Sequence, residues 1–442
     1  MRSLIPLLVL PLLAATLACS GVAPHAVDAA PGAAAPGAAA PADAGSTVSD
    51  AAAPADRART TLGVALFPWI PDAANDKFAA LRQHIERDFE SRHPEIDLEL
   101  RLEKDDDSYY NPPKLAGWLA SGRYDLVEVD TVILGDLIAA DVIAPWPARD
   151  ASAYFPAAVD GATVRDANGS VTWWGVPHLL CGFFLVTDVP AIHAADDLDV
   201  LARAVRQTGK PIHGNLDSSW DLPTLYLDAR VDNGLPPADV AQAVSPTPDA
   251  ATADALEIFS DLCAIGRDNP CLDGTFSEAW NEPVLRFVAG ASAGYWGYSE
   301  RLHLTVHALR DAGKPTDGLR VSPLPLGDDA TQLLFTDAFV RATACADDPA
   351  CAAAAEAFVA YINSPASLAY LLLSRDATAV GAPAVPRYLL PAVRAAFDDL
   401  RSDPLYGALE PDAEAGAALP NRAELYETRK GLEASLKDAL RD

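Results

Sequence analysis

Between residues 61 and 130 the chain alternates short apolar runs with a helix-length amphipathic segment, and this alternation restricts its fold more than any other feature. Thr61-Leu-Gly-Val-Ala-Leu-Phe67 reads as a short buried strand. Phe78, Leu81, Ile85 and Phe89 fall at helical spacing within 75–92, and Ile96-Asp-Leu-Glu-Leu-Arg-Leu102 alternates with a period of two. A strand, a helix and a second strand predict a β-α-β unit and a mainly parallel sheet flanked by helices. In such sheets ligands collect at the carboxyl ends of the strands, where Phe67, Trp69 and Asp130 fall. A further strand is expected over 124–130, followed by a helical run through Ile138. Two strands are expected around Cys181 within 171–188, with helices near 197–207, 221–233 and 249–265. A small-residue strand over 291–299 ends at Glu300, and a last strand follows at 333–340. Helices at 351–363 and 366–374 are broken by Asn363-Ser-Pro365.

The amino terminus sets the compartment. Arg2 and the apolar residues 4–18, ending in small residues before Cys19, have the layout of an export signal and are too short to span a bilayer stably. The Leu-Ala-Cys ending resembles a bacterial lipoprotein signal that would lipidate Cys19, although Thr16 and Leu17 depart from its usual pattern. Residues 20–58 are almost wholly Ala, Pro, Gly, Ser and Asp, a composition that cannot form a core and reads as a disordered tether. The remaining chain exceeds the usual size of one core, so two lobes are expected. A formal charge of −29, from 33 basic and 62 acidic residues, offers no basic stripe for nucleic acid and is compatible with a cationic small ligand. No phosphate-cradling glycine loop, HExxH motif or paired CxxC is present.

Of six cysteines, Cys263/Cys271 and Cys345/Cys351 are close pairs that an oxidising compartment could bridge. Cys181 remains, and a lone thiol in an exported chain is either buried as a small apolar residue or used as a nucleophile. His178, three residues earlier, suggests a Cys-His pair. Strand alternation would place the two on opposite faces, and that arrangement is rejected.

Taken in order, several segments resemble the thiaminase I (thiamine pyridinylase) family on the type II periplasmic solute-binding fold. They are Ala65-Leu-Phe-Pro-Trp-Ile-Pro-Asp72, Tyr109-Tyr-Asn-Pro-Pro113, Val127-Glu-Val-Asp130, Gly175-Val-Pro-His-Leu-Leu-Cys181, Tyr226-Leu-Asp-Ala-Arg-Val-Asp232, Gly297-Tyr-Ser-Glu300 and Phe335-Thr-Asp337. The resemblance implies a two-lobed α/β fold with mixed sheets flanked by helices and a ligand cleft between the lobes. Residues 60–175 and 320–442 would form lobe I, and 176–319 lobe II. It implies Cys181 as nucleophile and Glu300 as base. Asp130 and Asp337 would contact an aminopyrimidine, and Tyr298 would form an aromatic wall. Trp69, Phe67, Tyr110 and Trp296 are further candidates to sandwich the ring. Phe67, Trp69 and Phe335 stand where the family carries tyrosines, so stacking would survive and phenolic hydrogen bonds would not.

The expected reaction involves thiamine and a nucleophilic co-substrate, pyridine, aniline, another amine or a thiol, with no cofactor and no metal. Cys181 thiolate would add to the pyrimidine, the thiazole would leave, and the co-substrate would attack the methylene before the cysteine is expelled. Glu300 would take the thiol proton and later deprotonate the nucleophile. The protein would be an exported monomer, touching membrane only through a lipid at Cys19. The alternative is a non-catalytic thiamine- or pyrimidine-binding lipoprotein of a transporter, which has no need of the Cys181/Glu300 pair.

Overall fold

The computed structural model describes residues 59–102, 107–166 and 168–441, so the export segment, the tether and Cys19 lie outside the described residues. The β-α-β start is present. β1 (Thr60–Ala65) pairs in parallel with β2 (Ile96–Arg101), and α1 (Ala79–Arg92) between them buries Leu81, Ile85 and Phe89. The helix begins at Ala79 rather than near residue 75. Asn75, Lys77 and Phe78 adopt left-handed φ of 52°, 58° and 61° in a turn whose following amides are held by Asp72 and Asp76.

β3 (Leu126–Asp130), buried throughout, lies parallel to β1. The elements that complete the frame of the site are β4 (Val176–Thr187), β5 (Ile212–His213), α2 (Asp221–Asp232), β6 (Gly294–Tyr298), α3 (Arg301–Asp311), β7 (Leu333–Ala342) and α4 (Leu425–Arg441). The strands run in the order β2-β1-β3-β7-β4-β6-β5. Pairing is parallel at both ends and antiparallel in the middle, where β7 enters between β3 and β4 and β6 lies against β4. The sheet is therefore mixed rather than mainly parallel, because the β-α-β rule binds only strands joined by a crossover helix and β7 arrives from a distant part of the chain.

Residues 171–188 do hold two strands, a short one at Val171–Trp173 and the twelve-residue β4, but Cys181 lies inside β4 rather than between the two. Up to Gly182 β4 pairs with β7; from Phe183 onward it pairs with β6, and with Arg320–Pro323 on its other edge. Cys181 stands where the partners change. Glycine is needed beside it, since a Cβ on Gly182 would lie 2.8 Å from the Leu333 carbonyl oxygen and 2.7 Å from Gln332 Nε2.

Cys263–Cys271 and Cys345–Cys351 are disulfides, with Cα separations of 6.2 and 5.1 Å, and Cys181 is the one free cysteine among the described residues. Unreduced peptide mapping is expected to find these two bridges and one alkylatable thiol at Cys181 in denatured protein. A bridge from Cys181 to any other cysteine would contradict the structure.

Helix α2 carries two buried aspartates that organise the segment leading into β7. Asp232 accepts from the amides of Leu326 and Thr331 at 2.8 and 2.7 Å, and Asp228 from that of Leu333 at 3.1 Å. Burial pushes Asp232 up to about 7, and burial together with the neighbouring Asp232 charge pushes Asp228 well above the usual carboxylate range; Asp412 is raised to about 7 by burial alone. Such carboxyls contribute full stability below the unfolded pKa of about 3.9 and lose it as pH rises through the folded value. The melting temperature is expected to fall between about pH 5 and pH 8, and Asp228→Asn to flatten that fall. A melting temperature that rises over this range would contradict the account.

Candidate active site

One face of the central strands brings the chemistry together. Register places Asp337 opposite Asp130 and Phe335 opposite Cys181, and Phe183, two residues along from Cys181, opposite Tyr298. Directly opposed and alternate residues share a sheet face, so a thiol, two carboxylates and three aromatic rings are set side by side. Above them lies a cavity of about 790 Å³. Cys181, Glu300, Asp130, Asp337, Tyr298, Trp69, Phe67 and Tyr110 all line it, as does Phe335.

Trp296 does not join them. It lies one pleat further from Cys181 on β6, where it is buried against Phe259 with ring centroids 4.7 Å apart, and it leaves no room for a side chain at Gly214. His178 is also outside the cavity: its Nδ1 lies 2.5 Å from Glu128 Oε1 and its ring packs against Phe339. The register shifts between Asp337 and Ala338, so the ladder skips His178 and simple alternation does not reach it from Cys181. The bond to Glu128 keeps this imidazole away from the thiol.

The wall opposite the sheet comes from loops and from the end of the chain. Phe67 is held by its amide on Glu128 Oε2 at 3.0 Å, and the neighbouring Leu66 carbonyl accepts from the Tyr109 hydroxyl at 2.8 Å. Tyr110 stands between Trp69 and Trp220, with centroids at 6.5 and 4.6 Å, and Trp220 meets Tyr426 at 5.6 Å. Arg429, from the same helix as Tyr426, stacks 3.0 Å from the centre of the Trp220 ring. Trp220, Trp280 and Tyr426 line the cavity and were not singled out from sequence. Their segments lie far from Cys181 in the chain and carry no local signal that they return to it.

Four carboxylates line the cavity, Asp72, Asp130, Glu300 and Asp337, against one arginine. That arginine, Arg301, is engaged by the Trp280 face at 3.6 Å and by Asn281 Oδ1 at 3.1 Å. The balance favours a cationic, flat ligand. Burial raises Asp130 to about 7, opposed by the Val132 amide, the Arg429 charge and a Tyr110 hydrogen bond. Asp337 is pushed well above the usual carboxylate range by burial and by Asp130, Glu128 and Glu300; among the described residues its Oδ2 has no hydrogen-bond partner. A protonated Asp337 donates a hydrogen bond, and an ionised Asp130 accepts one. The half-buried Cys181 thiol is raised by burial, then by Glu300, Asp337 and Asp130, so it rests protonated near neutral pH. Among the described residues one His/Cys/Asp/Glu group is close enough to share an ion, Asp125 with Cys345 and Cys351, and two of its three ligands are joined in a disulfide.

No protein-family model matches the chain, and no curated protein matches it. Solved structures do. Thiaminase I of Clostridium botulinum, determined in complex with thiamin, is 17% identical with a TM-score of 0.63, over 86% of this chain and 100% of that one. Thiaminase I of Bacillus thiaminolyticus is 18% identical with a TM-score of 0.62, over 86% and 99%. The GacH receptor of Streptomyces glaucescens, determined unliganded and with acarbose and an acarbose homologue, is 17% identical with a TM-score of 0.56, over 86% and 98%. At these identities the likeness is one of fold: an α/β architecture with mixed sheets of the type II periplasmic-binding-protein kind. Among the described residues no helix is long and apolar enough to cross a membrane.

Proposed function

We propose that this protein cleaves thiamine, transferring its pyrimidinylmethyl group from the thiazole to a nucleophilic co-substrate. The observation that carries this reading is a free cysteine, Cys181, sharing one aromatic, acid-rich cavity with Glu300, Asp130 and Asp337. A protein that only binds its ligand has no use for a thiol beside a carboxylate. The fold likeness to two thiaminases supports the reading, as does the cavity's charge. We further propose that the body divides into the two lobes expected from sequence, closing over this cavity, and that the chain is exported and tethered through Cys19.

In this mechanism the thiazolium cation enters among carboxylates and aromatic faces. Asp337, holding its proton, donates to a pyrimidine ring nitrogen, and Asp130 accepts from the exocyclic amine. The same carboxylates that raise the Cys181 thiol are offset once the cation arrives, so the thiol ionises more readily with substrate bound. Glu300 takes its proton, sulfur bonds to the ring, and the thiazole departs with the electron pair of its bond to the methylene. The co-substrate then bonds to the methylene and sulfur is expelled.

Incubating the purified protein with thiamine and either pyridine or aniline is expected to release free hydroxyethyl-methylthiazole. Thiamine that is bound and stays intact would favour the transporter-type binding protein instead.

A further inference from the structure

We propose that His303 is the proton acceptor for the incoming co-substrate, a role separate from that of Glu300; the inference rests on the thiamine-cleaving reading above. His303 lies in the first turn of α3, three residues after Glu300, and its amide donates to the Glu300 carbonyl at 3.1 Å. Residues three apart share a helix face, and both line the cavity. His303 Nδ1 is 3.1 Å from two carbonyl oxygens, those of Val385 and Pro386. Carbonyls only accept, so Nδ1 carries the ring proton and Nε2 is left with its lone pair.

The support for this tautomer is firm. Arg387, the next residue, is fully buried; its amide donates to the Leu372 carbonyl, and its guanidinium holds both Asp376 oxygens, the Leu371 carbonyl and the Pro71 carbonyl. Pro71 lines the cavity, so one arginine braces both the histidine and the wall across from it. His307, with ring centroids 4.7 Å apart and itself lowered by burial, and the Arg387 guanidinium are the basic groups facing the ring. Burial, with a smaller effect from these two, lowers the imidazole to about 4, which keeps it neutral over the physiological range.

A proton count shows why a second acceptor is useful. When pyridine attacks, positive charge passes from thiazolium to pyridinium and no proton is released. When an arylamine attacks, the new nitrogen–carbon bond leaves an additional proton on nitrogen, one per turnover. In the same half-reaction the carbon–sulfur bond to Cys181 breaks, and sulfur leaves with the electron pair and recovers the proton held by Glu300. Because the amine bonds to the methylene before sulfur is expelled, Glu300 still holds the thiol proton when the amine nitrogen first carries its extra proton. Nε2 of His303 takes that proton and releases it to solvent. The co-substrate class this serves is one bearing a hydrogen on its attacking atom.

The experiment follows thiazole release from thiamine by the full-length protein and by His303→Gln and His303→Phe, with aniline and separately with pyridine. Glutamine keeps an N–H that can meet the carbonyls, phenylalanine keeps the ring's volume, and thermal melting identifies which variants are folded. The ratio of aniline-dependent to pyridine-dependent kcat is expected to fall about 10²-fold, and added imidazole to restore part of the aniline rate. A structural role would lower both rates together and leave no imidazole rescue. An unchanged ratio in the folded variants overturns the assignment while leaving thiamine cleavage intact; absence of thiazole release by the wild-type protein overturns both.

Discussion

Cys181→Ser is expected to abolish thiamine turnover, lowering kcat by roughly 10⁴-fold or more, the scale met when a covalent nucleophile is removed. Binding should persist, because recognition rests on Asp130, Asp337 and the aromatic walls rather than on the sulfur. Serine is smaller than cysteine and sits opposite Phe335 in a strand whose register is fixed on both sides, so the fold should tolerate it. Calorimetry for thiamine binding, alongside the thiazole assay, checks both halves. Full turnover by folded Cys181→Ser protein would return the thiol to the role of a buried small residue.

Glu300→Gln is expected to lower the rate by about 10² to 10⁴, as for loss of a general base, with a much smaller change in thiamine affinity. Glutamine keeps the shape and a hydrogen bond at the start of α3 and removes the basicity. Raising the pH should restore part of the rate, because hydroxide can ionise the thiol directly. Burial and the neighbouring carboxylates push that thiol above its ordinary range, so the recovery should begin late on the alkaline side. Rates for Glu300→Gln close to wild type at neutral pH would shift the proton transfer to Asp130 or Asp337.

What could be read from sequence followed from local pattern. The alternation through residue 102 announces β1, α1 and β2, and strand ends locate Asp130, Tyr298 and Glu300, because strand termini and side-chain alternation are local properties. The mixed sheet was legible only through the family resemblance; the strand-helix alternation alone pointed to a mainly parallel one, since nothing in Leu333–Ala342 says that it runs antiparallel between β3 and β4. Trp296 misleads for a related reason: it shares a face with Tyr298, but whether that face opens on the cavity depends on Gly214 and Phe259, which meet it only in the folded chain. Trp220, Tyr426 and Arg429 were invisible because their part in the site depends on a terminal helix folding back. His303 required the fold in a different way, because its chemistry is set by two carbonyls more than eighty residues away.

Covalent catalysis at Cys181 is the central claim, and a single-turnover experiment tests it most directly. Protein mixed with thiamine in the absence of any amine or thiol, then quenched in acid, is expected to release a burst of one equivalent of thiazole. The pyrimidinylmethyl group should be found on the peptide that contains Cys181. Thiazole released without a burst, or with that peptide unmodified and the label on another residue, would contradict the account.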